Sequence, residues 1–179
     1  MRAAMKRSAR RTLGIITVAT ALPVLTYAGP GAASITPNAT DLESLGSASG
    51  TESHADLIAN VHNAESNDAG NLLSVTWSIE NPTTDPVVVT WLADRTYTYS
   101  GPYFSAVTAL SSDGSTRFHP IMDGSGECIC SGNTSSNFSE RVEPGESMAY
   151  WSMYSVPNDV ESVTVEIPGF EPIEDVPIS

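Results

Sequence analysis

Apolar and polar side chains alternate without a break along one stretch of the chain, Leu73-Ser74-Val75-Thr76-Trp77-Ser78-Ile79-Glu80. Because successive side chains of a β-strand point to opposite faces, this pattern predicts a half-buried strand with one apolar face. Trp77 lies in the middle of that face, between Val75 and Ile79. We therefore expect Trp77 to be buried between two sheets as the anchor of the core.

Further segments of the chain have strand-like patterns. They are β-branched or alternating, and turn formers such as Asp113-Gly114 and Pro144-Gly145 separate them roughly every eight to twelve residues. The segments are 57–62, 87–92, 103–110, 117–122, 147–154 and 163–167. About seven short strands predict an all-β fold, an immunoglobulin-like two-sheet sandwich. The proline-rich segment 168–179 is expected to run extended along an edge.

The N-terminus has the order of a secretory signal peptide. Residues 1–11 contain five basic residues and no acid, residues 13–28 form an apolar run of 16 residues, and small residues follow as far as Ala33. A membrane-spanning helix needs about 20 apolar residues, so a retained anchor is the less favoured interpretation. We expect residues 1–33 to be removed on export, with cleavage after Ala28 as the alternative, and the adjacent Arg10 and Arg11 leave a twin-arginine route open.

Residues 34–53 consist mainly of Ser, Thr, Ala, Gly and Asn, with few large apolar side chains. Such a segment buries too little surface to offset the entropy of ordering it. We predict a flexible, disordered linker here, followed by a folded domain over residues 54–179.

The charge of the chain changes when the signal peptide is removed. The full chain has a net charge of −13, and residues 34–179 keep only Arg95, Arg117 and Arg141 against 21 acids, a net charge of −18. A field of this sign repels phosphate backbones and anionic lipid headgroups. We therefore predict no nucleic-acid partner and no stable membrane span after the signal is removed.

The chain contains no pattern typical of an active site. His54, His62 and His119 stand outside any zinc-spaced motif, and Gly124-Ser125-Gly126 lacks the strand-to-helix elbow of a serine hydrolase. No lysine remains after residue 33 to act as an amine nucleophile. The sequence predicts a protein that is not an enzyme and has no cofactor.

Cys128 and Cys130 are the two cysteines of the chain. In an exported protein the default state of two thiols is a disulfide, and a bridge that closes so short a loop contributes little stability. Intermolecular pairing and a site for a soft metal such as copper(I) are the alternatives. The metal site would use both cysteines with Met122 and His119 as possible neighbours.

The C-terminal third of the chain contains a group of distinctive motifs. They are Cys128-Ile129-Cys130-Ser131, a Pro-Gly turn, Val163-Thr164-Val165-Glu166-Ile167-Pro168-Gly169-Phe170, and Asp175-Val176-Pro177-Ile178. This part resembles a family of uncharacterised exported actinobacterial domains, some of which precede a peptidoglycan-binding domain like that of outer-membrane protein A. The resemblance extends over residues 57–179 and implies an immunoglobulin-like fold and a secreted or cell-envelope location. It implies no activity, and no wall-binding domain is carried over to this chain.

Two functions from different classes follow from these patterns. The first is a non-catalytic envelope module that binds protein or cell wall through its loops and exposed aromatics such as Tyr97, Tyr99 and Tyr103. The second is a metal or thiol-redox carrier built on the two-cysteine loop. An exposed apolar patch beside a closed disulfide would favour the first, whereas open thiols converging with the histidine or the methionine would favour the second.

Overall fold

The fold is that of a computed structural model, which describes residues 39–69, 71–93, 99, 103–132 and 138–179. All of these belong to one unit of the chain, Ser34–Ser179. The predicted signal peptide, residues 1–33, lies outside the described residues. Within the described ranges, no helix has the length and apolar character needed to cross a bilayer.

The described residues form ten β-strands and three single-turn 3-10 helices. The strands are β1 (Gly46–Ser49), β2 (Ile58–Ser66), β3 (Leu72–Glu80), β4 (Val87–Val88), β5 (Thr108–Ser111), β6 (Arg117–Phe118), β7 (Arg141–Val142), β8 (Ser147–Ser155), β9 (Ser162–Glu166) and β10 (Ile173–Pro177). The 3-10 helices are Ala39–Asp41, Glu52–His54 and Thr90–Leu92. The protein is all-β, as predicted.

The first sheet has the strand order β1-β2-β3-β8, and every neighbouring pair is antiparallel. Its central strand β3 contains the alternating stretch, with Val75, Trp77 and Ile79 all fully buried. Trp77 is paired with Val61 on one side and with Tyr150 on the other. The alternation therefore predicted the buried face of β3 correctly.

The second sheet has the order β10-β9-β5-β6, and β4 and β7 form a separate two-stranded sheet. Inward residues of the second sheet, including Ala109, Val163 and Val165, belong to the same apolar core as Trp77. Because two sheets enclose one core, the protein is a two-sheet sandwich and the burial predicted for Trp77 is confirmed. The predicted edge position of the proline-rich segment is also found, because β10 is the outermost strand of its sheet.

The prediction of a flexible linker over residues 34–53 is wrong for its described part, residues 39–53. Strand β1 is paired along its length with β2, and Ala48 is buried. Small residues serve close packing here, since a Cβ on Gly46 would lie 2.7 Å from Cγ2 of Ile173. Folded structure therefore begins earlier than residue 54.

Several predicted strands are shorter than their patterns suggested. Of residues 87–92 only Val87–Val88 is paired, and Thr90–Leu92 is a helical turn that leaves Val89 and Leu92 buried. Likewise β5 and β6 occupy only part of segments 103–110 and 117–122. A turn satisfies the burial of closely spaced apolar residues as well as a strand does, so the apolar pattern alone could not distinguish them.

Candidate functional site

Both cysteines lie in a segment that covers the edge of β8. This cysteine segment, residues 128–132, forms a bridge between Cys130 and Ser152, and the backbone N–H of Ser131 donates to the carbonyl oxygen of Trp151 over 2.8 Å. The other edge of β8 is occupied by β3. The predicted loop is therefore held by main-chain hydrogen bonds as an irregular extension of the first sheet.

The predicted Cys128–Cys130 disulfide is present. The sulfur atoms are 2.11 Å apart and the Cα atoms 5.3 Å apart. Both cysteines are buried and pack with Tyr103 in a small cluster separate from the main core. Gly132 gives Tyr103 its space, because a Cβ there would lie 1.9 Å from the ring carbon Cδ1. The ring of Tyr103 therefore packs against the disulfide.

The four residues considered as metal ligands are only partly brought together. Met122 forms a backbone bridge with Cys128, but its side chain is 47% exposed. His119, which precedes Met122 by three residues, is half-buried. Neither cysteine is an open thiol, and the described part of the chain contains no group of three or more His, Cys, Asp and Glu residues arranged to hold a metal ion.

The three tyrosines predicted as exposed binding residues are placed differently. Tyr97 lies outside the described residues. Tyr103 is only 2% exposed, so the prediction is wrong for it: its ring is needed against the disulfide. Tyr99 is half-buried, and its hydroxyl donates to the carbonyl oxygen of Pro120 over 2.7 Å.

Partly exposed apolar side chains, which the sequence did not predict as binding residues, lie on the outer face of the first sheet near the disulfide-bonded segment. On β8, Trp151 and Met153 alternate with buried residues. Ile129 lies between the two buried cysteines and is itself partly exposed. Its carbonyl oxygen accepts a hydrogen bond from the N–H of Met153 over 3.1 Å. The N–H of Ile129 in turn donates to Ile121 over 2.8 Å. We call Ile121, Ile129, Trp151 and Met153 the outer patch.

A polar cluster on the same sheet was missed by the sequence reasoning. Ser78 is fully buried on β3, and its Oγ is hydrogen-bonded to Nε2 of His62 over 2.8 Å. Nδ1 of His62 is hydrogen-bonded to the backbone carbonyl oxygen of Glu43 over 3.0 Å, and Oγ of Ser147 donates to Oγ of Ser78 over 3.4 Å. Glu43 belongs to residues 39–45, which we call the N-terminal strap.

The strap crosses the outer face of the first sheet. Its 3-10 helix contacts β8, and the N–H of Leu45 donates to the carbonyl oxygen of Val61 over 2.7 Å. Beneath it lies a small hollow of about 190 Å³ whose lining includes Leu42, Asn60 and Glu80. Ser78 is fully buried under this cover, and His62 is hydrogen-bonded both to Ser78 and to Glu43 of the strap. The serine–histidine pair therefore connects the strap to β3.

The register of β2 explains why the hydrogen bond between His62 and Ser78 could not be predicted from the sequence. The pairing of β2 with β3 shifts between Val61 and Asn63, which is a β-bulge at His62. A bulge redirects the side chains that follow it. No spacing in the sequence marks this position, and His62 and Ser78 are 16 residues apart.

Two buried tyrosines fix the sandwich to its loops. The hydroxyl of Tyr150 donates to the carbonyl oxygen of Ser139, and that of Tyr154 donates to Val107, each over 3.0 Å. Burial raises the pKa of both phenols well above their usual range. Both therefore remain protonated donors at neutral pH.

Comparison with known proteins adds little to this geometry. No protein-family model matches the chain, and no curated protein matches it. A crystal structure of a functionally unknown protein from Listeria monocytogenes EGD-e is similar over 76% of this chain and 85% of that chain, with 11% sequence identity and a TM-score of 0.38.

Proposed function

We propose that the protein is a non-catalytic, exported module of the cell envelope or the secreted fraction, with an immunoglobulin-like sandwich that binds a protein or the cell wall through the outer patch. The observation that supports this most directly is the outer patch beside a closed disulfide. Apolar side chains that lie together at the surface within polar surroundings, as these partly exposed ones do, are typical of interaction sites. Here Ser74 and Thr76 of β3 are paired with Met153 and Trp151 and border the patch.

The chemistry of the outer patch suits recognition of another macromolecule. Tryptophan and methionine are enriched in protein–protein interfaces, and tryptophan is common among the residues whose loss costs most binding energy. Trp151 and Met153 lie on a nine-residue strand that is hydrogen-bonded on both sides. Little ordering entropy would therefore be lost when a partner binds.

The N-terminus and the family resemblance support export. Residues 1–33 have the basic, apolar and small-residue order of a signal peptide. The C-terminal motifs resemble exported actinobacterial domains. The net charge of −18 over residues 34–179 disfavours nucleic acid and anionic lipid as partners.

A metal or thiol-redox carrier is the second candidate. It is favoured by one observation, that Met122 is exposed and paired with Cys128. Two thiolates would be available to copper(I) only after the disulfide is reduced. Stoichiometric copper uptake by the protein as isolated, with both thiols open to alkylation, would make this the better proposal.

Export is tested by expressing the full chain in its own cells, separating the cell fractions and sequencing the N-terminus of the protein recovered outside the cytoplasm. We expect it to begin between Gly29 and Ser34. Intact Met1 or Arg2 on protein from the membrane fraction would indicate a retained anchor instead.

Binding through the outer patch is tested by comparing Trp151→Ala with Val88→Ala. Val88 is a matched control because it is 47% exposed and lies on β4, outside the first sheet. We expect Trp151→Ala to reduce retention on purified envelope by at least about tenfold, as for a central interface tryptophan. Equal retention of both variants at unchanged melting temperature would exclude the patch as the binding surface.

A further inference from the structure

A groove runs across one end of the sandwich, around the turn between β8 and β9. It consists of two hollows of about 390 and 460 Å³ that share Pro157, Val160 and Glu161. The first opens toward the ends of β2 and β3, and the second toward the hairpin turn between β5 and β6. Each hollow has the volume typical of ligand sites. We call the two together the end groove.

The end groove combines an apolar floor with an acidic rim. Val160 and Ile178 line the first hollow and are partly exposed there, while Leu73 is buried beneath them. Asp113, Asp159 and Glu161 line the second hollow, and all three are exposed. Apolar and anionic groups therefore lie side by side along one depression.

No basic side chain balances this charge among the described residues that line the groove. The arginines of the described part are engaged elsewhere, Arg117 with Glu166 and Arg141 with Glu143. Hydrogen bonds from Ser111 and Ser115 lower the pKa of Asp113 to about 2, so its carboxylate stays charged. Asp113 thus keeps its negative charge over the whole physiological pH range.

We propose that the end groove binds a cationic peptide segment of a partner protein, with apolar side chains against the floor formed by Val160 and Ile178 and basic side chains against the rim. Charge complementarity selects this occupant, because an acidic rim repels anionic segments and an apolar floor gives no advantage to a purely hydrophilic cation. The groove shares no residue with the outer patch. The two binding surfaces can therefore fail or succeed separately.

The test measures fluorescence anisotropy of a labelled short peptide of alternating lysine and leucine as the protein is added at low salt. Asp159→Asn/Glu161→Gln removes two rim carboxylates. The control Glu52→Gln/Asp56→Asn removes the same charge near the start of β2, whereas Ser66 at its end lines the groove. The nine residues of β2 separate the two places by about 30 Å.

We expect the rim variant to weaken peptide binding by about tenfold and the control to weaken it by less than about twofold, as for loss of two local charge pairs. Equal weakening by both variants would show that the net charge of the chain attracts the peptide, and would overturn the groove. No weakening by either would do the same.

The apolar floor is tested with a peptide in which serine replaces leucine at constant charge. We expect it to bind at least about fivefold more weakly, because the buried leucine surface is lost. Equal affinity of the two peptides would show that the apolar floor does not contribute to binding. Amide chemical-shift changes should be confined to the two hollows, that is, to residues 66, 73, 111–118, 156–162 and 178–179. Trp151→Ala should leave these changes unaltered even if it abolishes envelope binding.

Discussion

Truncation of Trp77 to alanine tests the core of the sandwich most directly. Trp77 is fully buried, and its ring lies 4.8 Å from that of Tyr150 and 6.1 Å from that of Phe104. Loss of a buried tryptophan costs about 3 to 5 kcal/mol through transfer and cavity terms. This is a large share of the roughly 5 to 15 kcal/mol by which such a domain is stable.

Part of that loss is polar and can be separated from the rest. Nε1 of Trp77 donates to Oγ of Ser152 over 3.2 Å, and Ser152 is also fully buried. Trp77→Phe keeps an aromatic ring but leaves Ser152 without this donor, and Ser152→Ala leaves the indole N–H without its acceptor. Each should cost about 1 to 3 kcal/mol, the usual penalty for stranding a buried polar group. The double variant should cost less than the sum by about 1 kcal/mol.

The assay is urea unfolding followed by far-ultraviolet circular dichroism, because tryptophan fluorescence changes with the substitution itself. An unchanged m-value licenses the comparison of free energies of unfolding. If Trp77→Ala is already unfolded without urea, the free energy of unfolding of Trp77→Phe is used in its place. A loss below about 1 kcal/mol for Trp77→Ala, or additive costs in the double variant, would refute the proposed packing of this residue.

Three further outcomes are expected. Ser78→Ala should destabilise the protein by about 1 to 3 kcal/mol and speed hydrogen exchange at the N–H of Leu45, whereas Ser74→Ala on the same strand should leave exchange at Leu45 unchanged. Reducing the disulfide should change the free energy of unfolding in urea by no more than about 1 kcal/mol, because so short a loop contributes little closure entropy, and mass analysis verifies the state of the bond in each sample. The carboxyl carbon of Asp113 should titrate by NMR with a pKa of about 2. Because this pKa is lowered from 3.8 on folding, its stabilising effect is present above about pH 4 and is lost as the pH falls through about 2, and Ser111→Ala should raise the pKa toward 3.8.

The buried strands were predictable because their patterns are local. Strands β3, β8 and β9 alternate over five to nine residues, and the period of two determines which side chains face the core. Turn chemistry was equally readable. Gly114 and Gly145 have φ values of +71° and +75°, as expected for glycines in the hairpin turn and in the Pro-Gly turn.

The candidate sites were less predictable because they depend on distant pairing. A strip of small residues at 46–49 becomes a strand only because β2 and Ile173 lie beside it. Tyr103 is buried by a disulfide that follows it by more than 20 residues. His62 meets Ser78 through a bulge. In each case the sequence contains the side chains, while a partner elsewhere in the chain decides their role.

Segments outside the named strands contact both outer edges of the first sheet. An unpaired strand edge is a template for association with other chains. The cysteine segment covers the edge of β8, while at the other side Glu171 donates from its N–H to Ser49 and Gly50 forms a bridge with Phe170. Because Ile129 of the outer patch belongs to the cysteine segment, the same residues that would contact a partner also close the sheet. Changes that detach this segment should therefore weaken partner binding and promote self-association together, which distinguishes them from Trp151→Ala, expected to weaken binding alone.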